Sequence, residues 1–107
     1  MALTTLDPGL ISTSSFKNRI INGAMVIDQR NAGASVTATG AGGSLFYTVD
    51  RWAYQVAQAS KFTVQQNAGS VTPPAGFTNY LGVTSSSSYS AISTDYFAII
   101  QPIEGFN

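Results

Sequence analysis

Along the chain, apolar residues recur at alternate positions in short runs separated by glycine, proline, serine and asparagine. A period of two puts successive side chains on opposite faces of an extended backbone, so the pattern predicts strands rather than helices. Phe16 to Arg30 is the first such segment. Asn22-Gly23 interrupts it and predicts a bulge or kink, because these residues take positive φ at little cost. Asn31 to Ser44 reads as a loop in which Ser35-Val36-Thr37 can pair briefly. Leu45 to Ala59 is the second strong segment: after Asp50-Arg51, Trp52, Tyr54 and Val56 alternate with Ala53, Gln55 and Ala57, whereas a helix would spread those three around its circumference. Lys61 to Gln66 puts Phe62 and Val64 on one face. Phe77 to Thr84, after the stiff loop around Pro73-Pro74, directs Leu81 and Val83 inward. Ser85 to Ser88 reads as an exposed loop. Asp95 to Ile103 is apolar on both faces and is expected to be a central strand covered on both sides.

Five or six strands joined by Gly-, Ser- and Pro-rich loops predict an all-β fold, an antiparallel β-sandwich of jelly-roll-like type. The domain spans residues 16–107. Residues 1–15 precede it as an extended N-terminal arm with a turn at Asp7-Pro8-Gly9. Leu3, Leu6, Leu10 and Ile11 give that arm an apolar grip for assembly, and without a partner it reads as a frayed terminus. Jelly rolls use about eight strands. The sequence stops directly after its most apolar strand, so the expectation is a domain completed either by strands from another chain or by further polypeptide, the second being favoured. A local echo, Gln29 to Thr37 against Gln65 to Thr72, is too short to be a fold repeat and reads as one strand-exit chemistry used twice.

Composition changes this picture mainly through charge. The 107 residues are 44% hydrophobic and only 9% charged, against roughly 25% charged in an ordinary soluble domain. The five basic and five acidic side chains cancel. Solubility then rests on Ser, Thr, Asn and Gln, or on burial of surface in an assembly, and the second suits a particle component. With no cysteine and no histidine, disulfides, thiolate metal sites, histidine triads and histidine-ligated metals are excluded. There is no basic patch to mark a nucleic-acid footprint. No apolar run approaches the roughly 20 residues that span a bilayer, and the N-terminus lacks the basic region of a secretory signal. Neither cofactor nor metal is expected.

Several residues have side chains suited to chemistry. Trp52 has the flat face of a sugar-stacking platform, but its alternation with Tyr54 and Val56 predicts a core residue. Tyr80 and Tyr89 flank the serine loop and are the better candidates for an exposed glycan or partner contact. Asp50-Arg51 is expected to fix the turn into the Trp52 strand. Asp28 and Glu104 are carboxylates at opposite ends of the chain, and a glycosidase pair needs its two carboxyls about 5–9.5 Å apart; no second Glu or acidic–aromatic cluster supports one. The serine run lacks a nucleophile elbow, and Gly40 to Gly43 lacks the Lys-Ser/Thr of a phosphate loop.

Three linked segments carry a resemblance. They are Asn18 to Arg30 (NRIINGAMVIDQR), Tyr47 to Trp52 (YTVDRW) and Gln101 to Gly105 (QPIEG), with Pro73 to Phe77 and Leu81 to Val83 fitting between. In this order they resemble the carbohydrate-binding-module-like jelly-roll domain of phage tail-fibre and other virion structural proteins, over about residues 16–107. Asn22, Gly23, Asp50, Arg51, Trp52 and Glu104 are the positions through which the motif is recognised. The resemblance implies a β-sandwich without catalysis, a place on the virion in a tail or other surface appendage, and partners that are other virion proteins and copies of itself, often as a homotrimer. It further implies host attachment, with a carbohydrate-binding module for host polysaccharide as the alternative. Related sandwiches often hold calcium near the first strand; Asp28 or Asn22 would be the ligands, but the 6–8 oxygens Ca²⁺ needs cannot be assembled from the sequence. In that family the domain continues past the Ile-Glu-Gly segment, which supports reading this chain as an N-terminal portion.

Overall fold

The computed structural model describes residues 18–69 and 71–105, and among them there is no helix. Six short strands form: β1 (Val36–Thr37), β2 (Phe46–Tyr47), β3 (Ala53–Val56), β4 (Phe62–Gln66), β5 (Leu81–Ser85) and β6 (Phe97–Ile100). They build two three-stranded sheets, in the orders β1-β4-β5 and β2-β3-β6, and every pairing is antiparallel. The chain changes sheet after β1, after β3 and after β5. The result is the all-β sandwich that the alternation predicts. The arm with Leu3, Leu6, Leu10 and Ile11 lies outside the described residues.

The sheets meet through the apolar face of each central strand. Tyr54 and Val56 of β3, Phe62 and Val64 of β4, and Ala38 form the buried core, with Val36, Leu81 and Ile99 packed against it. Rings carry the contact across the core. Phe46 stacks on Tyr54 at 5.4 Å, Tyr54 meets Phe62 edge-on at 6.1 Å, and Phe62 meets Phe97 edge-on at 6.1 Å. Stacked and edge-on arrangements suit the quadrupoles of the rings, and such pairs add about 0.5–1.5 kcal/mol each to area burial.

Three expectations are corrected. First, the described part of the Phe16–Arg30 segment forms turns, not a strand. Asn22 and Met25 adopt left-handed φ values of 55° and 56°, which an extended strand does not tolerate. The Asn22 side chain also donates to Ile27 O at 2.8 Å and accepts from Ile27 N at 3.0 Å. This local bonding competes with a sheet ladder and closes the loop. The positive φ falls on Asn22, not on Gly23, whose added Cβ would meet Ile20 at 3.0 Å.

Second, the Leu45–Ala59 segment contains a chain reversal. Thr48 N donates to Trp52 O at 2.8 Å and Trp52 N to Val49 O at 2.9 Å, with Arg51 left-handed at φ 73°. Trp52 therefore sits half-buried at the foot of β3 and is not a core residue. Third, β6 is the edge of its sheet and β3 is the central strand. Ala53, Tyr54 and Val56 are all at most 2% exposed, while Phe97 is 39% exposed. Periodicity reports which faces are apolar; it does not report lateral neighbours.

Of the two residues expected to face inward, Leu81 packs against the core, whereas Val83 is half exposed and lines a surface groove. The two echo segments lie at one end of the β1–β4 pair, where Gln65 Nε2 donates to Gly33 O at 2.8 Å. Each carries left-handed residues, Ala32 and Gly33 in one, Asn67 and Gly69 in the other. The second turn packs onto β5 at Gly82, where an added Cβ would fall 2.3 Å from Ala68 Cβ and 3.3 Å from Ala68 backbone atoms. Gly82→Ala is therefore expected to destabilise the fold by about 1–3 kcal/mol, the usual cost of overpacking. Gly105→Ala, with nothing within 4 Å of the new Cβ, should be near neutral, and denaturant midpoints of the two variants provide the comparison.

Candidate functional site

The three motif segments, up to 80 residues apart in sequence, converge at the turn of the β2–β3 hairpin. Asn22 Nδ2 donates to Asp50 O at 2.9 Å as well as to Ile27 O. Trp52 Nε1 donates to Asn22 O at 3.1 Å. Asp50 Oδ1 accepts from Gln29 N at 3.0 Å, and Asn31 Nδ2 donates to Thr48 O at 3.0 Å. At the other end of the motif, Gln101 accepts from Ile21 N at 3.1 Å and donates to Ile21 O at 2.6 Å. One side-chain amide thus does for Ile21 what a neighbouring strand does for a ladder residue. These bonds satisfy backbone groups that no strand supplies with partners, and each contributes about 0.5–1.5 kcal/mol net.

This network fixes the walls of an open cleft of about 410 Å³, lined by Arg30, Tyr47, Asp50, Arg51, Pro102 and Glu104. Two of the chain's five basic and two of its five acidic residues are gathered here. The Arg30 guanidinium lies over the Tyr47 ring at 5.2 Å, a cation–π placement; among the described residues it has no acidic partner. Arg51 Nη2 approaches Glu104 Oε1 at 3.7 Å, with both side chains well exposed; such a pair contributes about 0–1 kcal/mol. Asp50 ties the turn to Gln29, and Arg51 faces Glu104 rather than Asp50. Asp28 does not line the cleft. Its carboxylate accepts from Asn31 N at 3.2 Å and Gly33 N at 2.8 Å, which makes it a turn cap. Asp28 and Glu104 are engaged in separate places, and among the described residues no group of three acidic side chains is placed to hold a metal ion.

A second concavity, of about 420 Å³, opens between the β5 and β6 edges. Its lining includes Phe62, Val83, Tyr89 and Phe97, with Lys61 and serines of the Ser85–Ser88 run at the rim. Tyr89 is clamped there. Its hydroxyl donates to Asp95 Oδ2 at 2.8 Å, Lys61 Nζ lies 4.4 Å from its ring centroid, and its ring meets Phe97 edge-on at 6.2 Å. Asp95 also accepts from Ile92 N at 2.9 Å and Gln58 Nε2 at 3.2 Å. The Ile92 amide, then the Tyr89 hydroxyl, hold the Asp95 carboxyl below its ordinary range, with Gln58 and Lys61 adding to this. The same hydrogen bond to Asp95 raises the Tyr89 hydroxyl, with desolvation second.

Tyr80 lies elsewhere. Its hydroxyl donates to Ala68 O, and its amide donates to Asn67 Oδ1 at 3.0 Å, so it braces the 67–69 turn. The structure therefore brings Asn22, Asp50, Arg51, Trp52 and Glu104 together and separates Tyr80 from Tyr89. Arg30, Tyr47 and Gln101 were visible within the motif segments without a role, because a cation–π contact and an 80-residue side-chain bridge leave no local pattern. Asp95 was legible only as a strand start. Compared with known proteins, the chain matches no family model, no curated protein and no solved structure.

The Asp95 clamp makes a pH prediction. A carboxyl whose pKa is lower in the folded state stabilises the fold fully above the unfolded value and loses that contribution as pH falls through the folded value. The wild-type protein is expected to be more stable than Asp95→Asn at neutral pH. The two should converge in acid below the ordinary aspartate range, as read by urea unfolding across pH.

Proposed function

We propose that this chain is a non-enzymatic structural module of a bacteriophage particle, part of a tail fibre or similar appendage, that assembles with other subunits and contributes to host attachment. The observation that carries the reading is the surface. Ile20, Ile21, Val26, Ile27 and Ile103 stand 40–60% exposed on a chain with only 9% charged residues. Large apolar side chains left exposed on so weakly charged a chain favour association over a free monomer. The motif residues support it from another direction: Asn22, Asp50, Trp52 and Gln101 are spent on tying backbone segments together.

In this reading the work is done by strand pairing and apolar burial between chains. The β6 strand, Phe-Ala-Ile-Ile at the edge of its sheet, has a row of backbone groups facing away from β3. An unpaired edge of that kind takes up a strand from another chain. A standard interface of about 1,600 Å² in total would cover the exposed isoleucines as well.

One observation favours a second role beside the first, recognition of host polysaccharide. Tyr89 is held rigid by Asp95, Lys61 and Phe97 at the mouth of an apolar groove, and a fixed aromatic ring loses little entropy on stacking against a sugar.

The assembly reading is tested on purified particles. Gold-labelled antibody against this chain is expected to decorate a tail or surface appendage, and the purified chain is expected to run as an oligomer by light scattering. A soluble, stable monomer that is absent from particles would overturn it.

A further inference from the structure

We infer that the cleft at the β2–β3 turn, a site apart from the Tyr89 groove, binds a carboxylate-bearing saccharide; this rests on the attachment role proposed above. The argument begins with charge. The chain is poor in charged residues, yet two guanidinium groups and two carboxylates line this one cleft beside Tyr47 and Pro102. Surface charge placed only for solubility would be dispersed.

The state of each group narrows the chemistry. Among the described residues Arg30 has no ion pair, and its guanidinium is parked on the Tyr47 ring. Its planar fork of donors matches a carboxylate edge. Arg51 is held in a left-handed conformation, φ 73°, at the tip of the turn, where a non-glycine residue costs free energy. The long Arg51–Glu104 contact of 3.7 Å is weak enough for a ligand to replace.

Because Asp50 and Glu104 offset the two arginines, a bare anion gains little here. The ligand that satisfies all the groups carries a carboxylate for Arg30 and hydroxyls that donate to Glu104. It also has an apolar C–H face for Pro102. An acidic sugar has all three on one ring. The cleft, at about 410 Å³, falls within the roughly 300–1,000 Å³ of small-molecule sites. Its walls are pre-formed: Gln29 and Asn31, on either side of Arg30, are bonded to Asp50 and Thr48 of the hairpin, so little ordering remains to be done on binding.

The test uses the full chain and calorimetric titration with oligomers of galacturonic, glucuronic and sialic acid, each beside a neutral oligomer of matched length, with inorganic phosphate and acetate as free anions. At least one acidic oligomer is expected to bind, with the neutral sugars and free anions silent. Arg30→Gln should weaken that binding by about tenfold or more, the loss of a charge-assisted bond pair. Arg51→Gly, which suits the left-handed backbone, should keep or raise the melting temperature and still weaken binding. Tyr89→Ala should leave it unchanged. Silence of all three acidic oligomers at millimolar concentration would overturn the inference. So would equal binding of neutral and acidic sugars, or loss of binding on Tyr89→Ala but not on Arg30→Gln. None of these outcomes depends on where the chain sits in a particle, so a failure of the site and a failure of the assembly reading are separable.

Discussion

Asn22 ties its own loop to the β2–β3 turn. It closes its own loop on both backbone groups of Ile27 and reaches the carbonyl of Asp50, while the carbonyl of the same residue takes the Trp52 indole. Without regular pairing, the 18–30 segment would leave its backbone groups unsatisfied or return them to water. Asn22 at Ile27, Asp50 at Gln29 and Gln101 at Ile21 supply such partners in place of a neighbouring strand. The β2–β3 turn and the chain after β6 then hold a fixed relation to it, and the charged cleft is the space they enclose.

The core obeys a different rule. It is small, one apolar cluster between two three-stranded sheets, and its contacts are dominated by aromatic rings running from Phe46 through Tyr54, Phe62 and Phe97 to Tyr89. The last ring of that series emerges at the groove between the β5 and β6 edges, so the packing that joins the sheets also sets the position of Tyr89. Polar clamps on one side and stacked rings on the other make two surfaces of distinct chemistry on one sandwich.

Much of the fold was legible in the sequence. Phe62 and Val64, Tyr54 and Val56, and the brief pairing of Val36-Thr37 follow from period-two alternation and from the Gly- and Ser-rich breaks between runs. The 18–30 segment misled because its Ile and Val residues carry strand propensity, while Asn22 and Asp28 offer the backbone a local alternative that propensity does not weigh. The both-faces-apolar pattern of Tyr96 to Ile103 predicts a central strand, yet β6 ends its sheet, because periodicity carries no information on lateral neighbours. In the site, Asn22, Asp50, Arg51, Trp52 and Glu104 were recognisable as motif positions, but their meeting depends on contacts across tens of residues. Arg30 on Tyr47 and Lys61 on Tyr89 became visible only in three dimensions.

The central claim is that side-chain hydrogen bonds, not strand pairing, make the 18–33 region rigid. Amide hydrogen exchange by NMR tests it most directly. The amides of Ile21, Ile27, Gln29, Asn31 and Gly33 each donate to a side-chain oxygen of Gln101, Asn22, Asp50 or Asp28. They should exchange far more slowly than an open loop and lose protection together in Asn22→Ala. Exchange of these amides at unprotected rates, while those of β3 and β4 stay protected, would contradict the account.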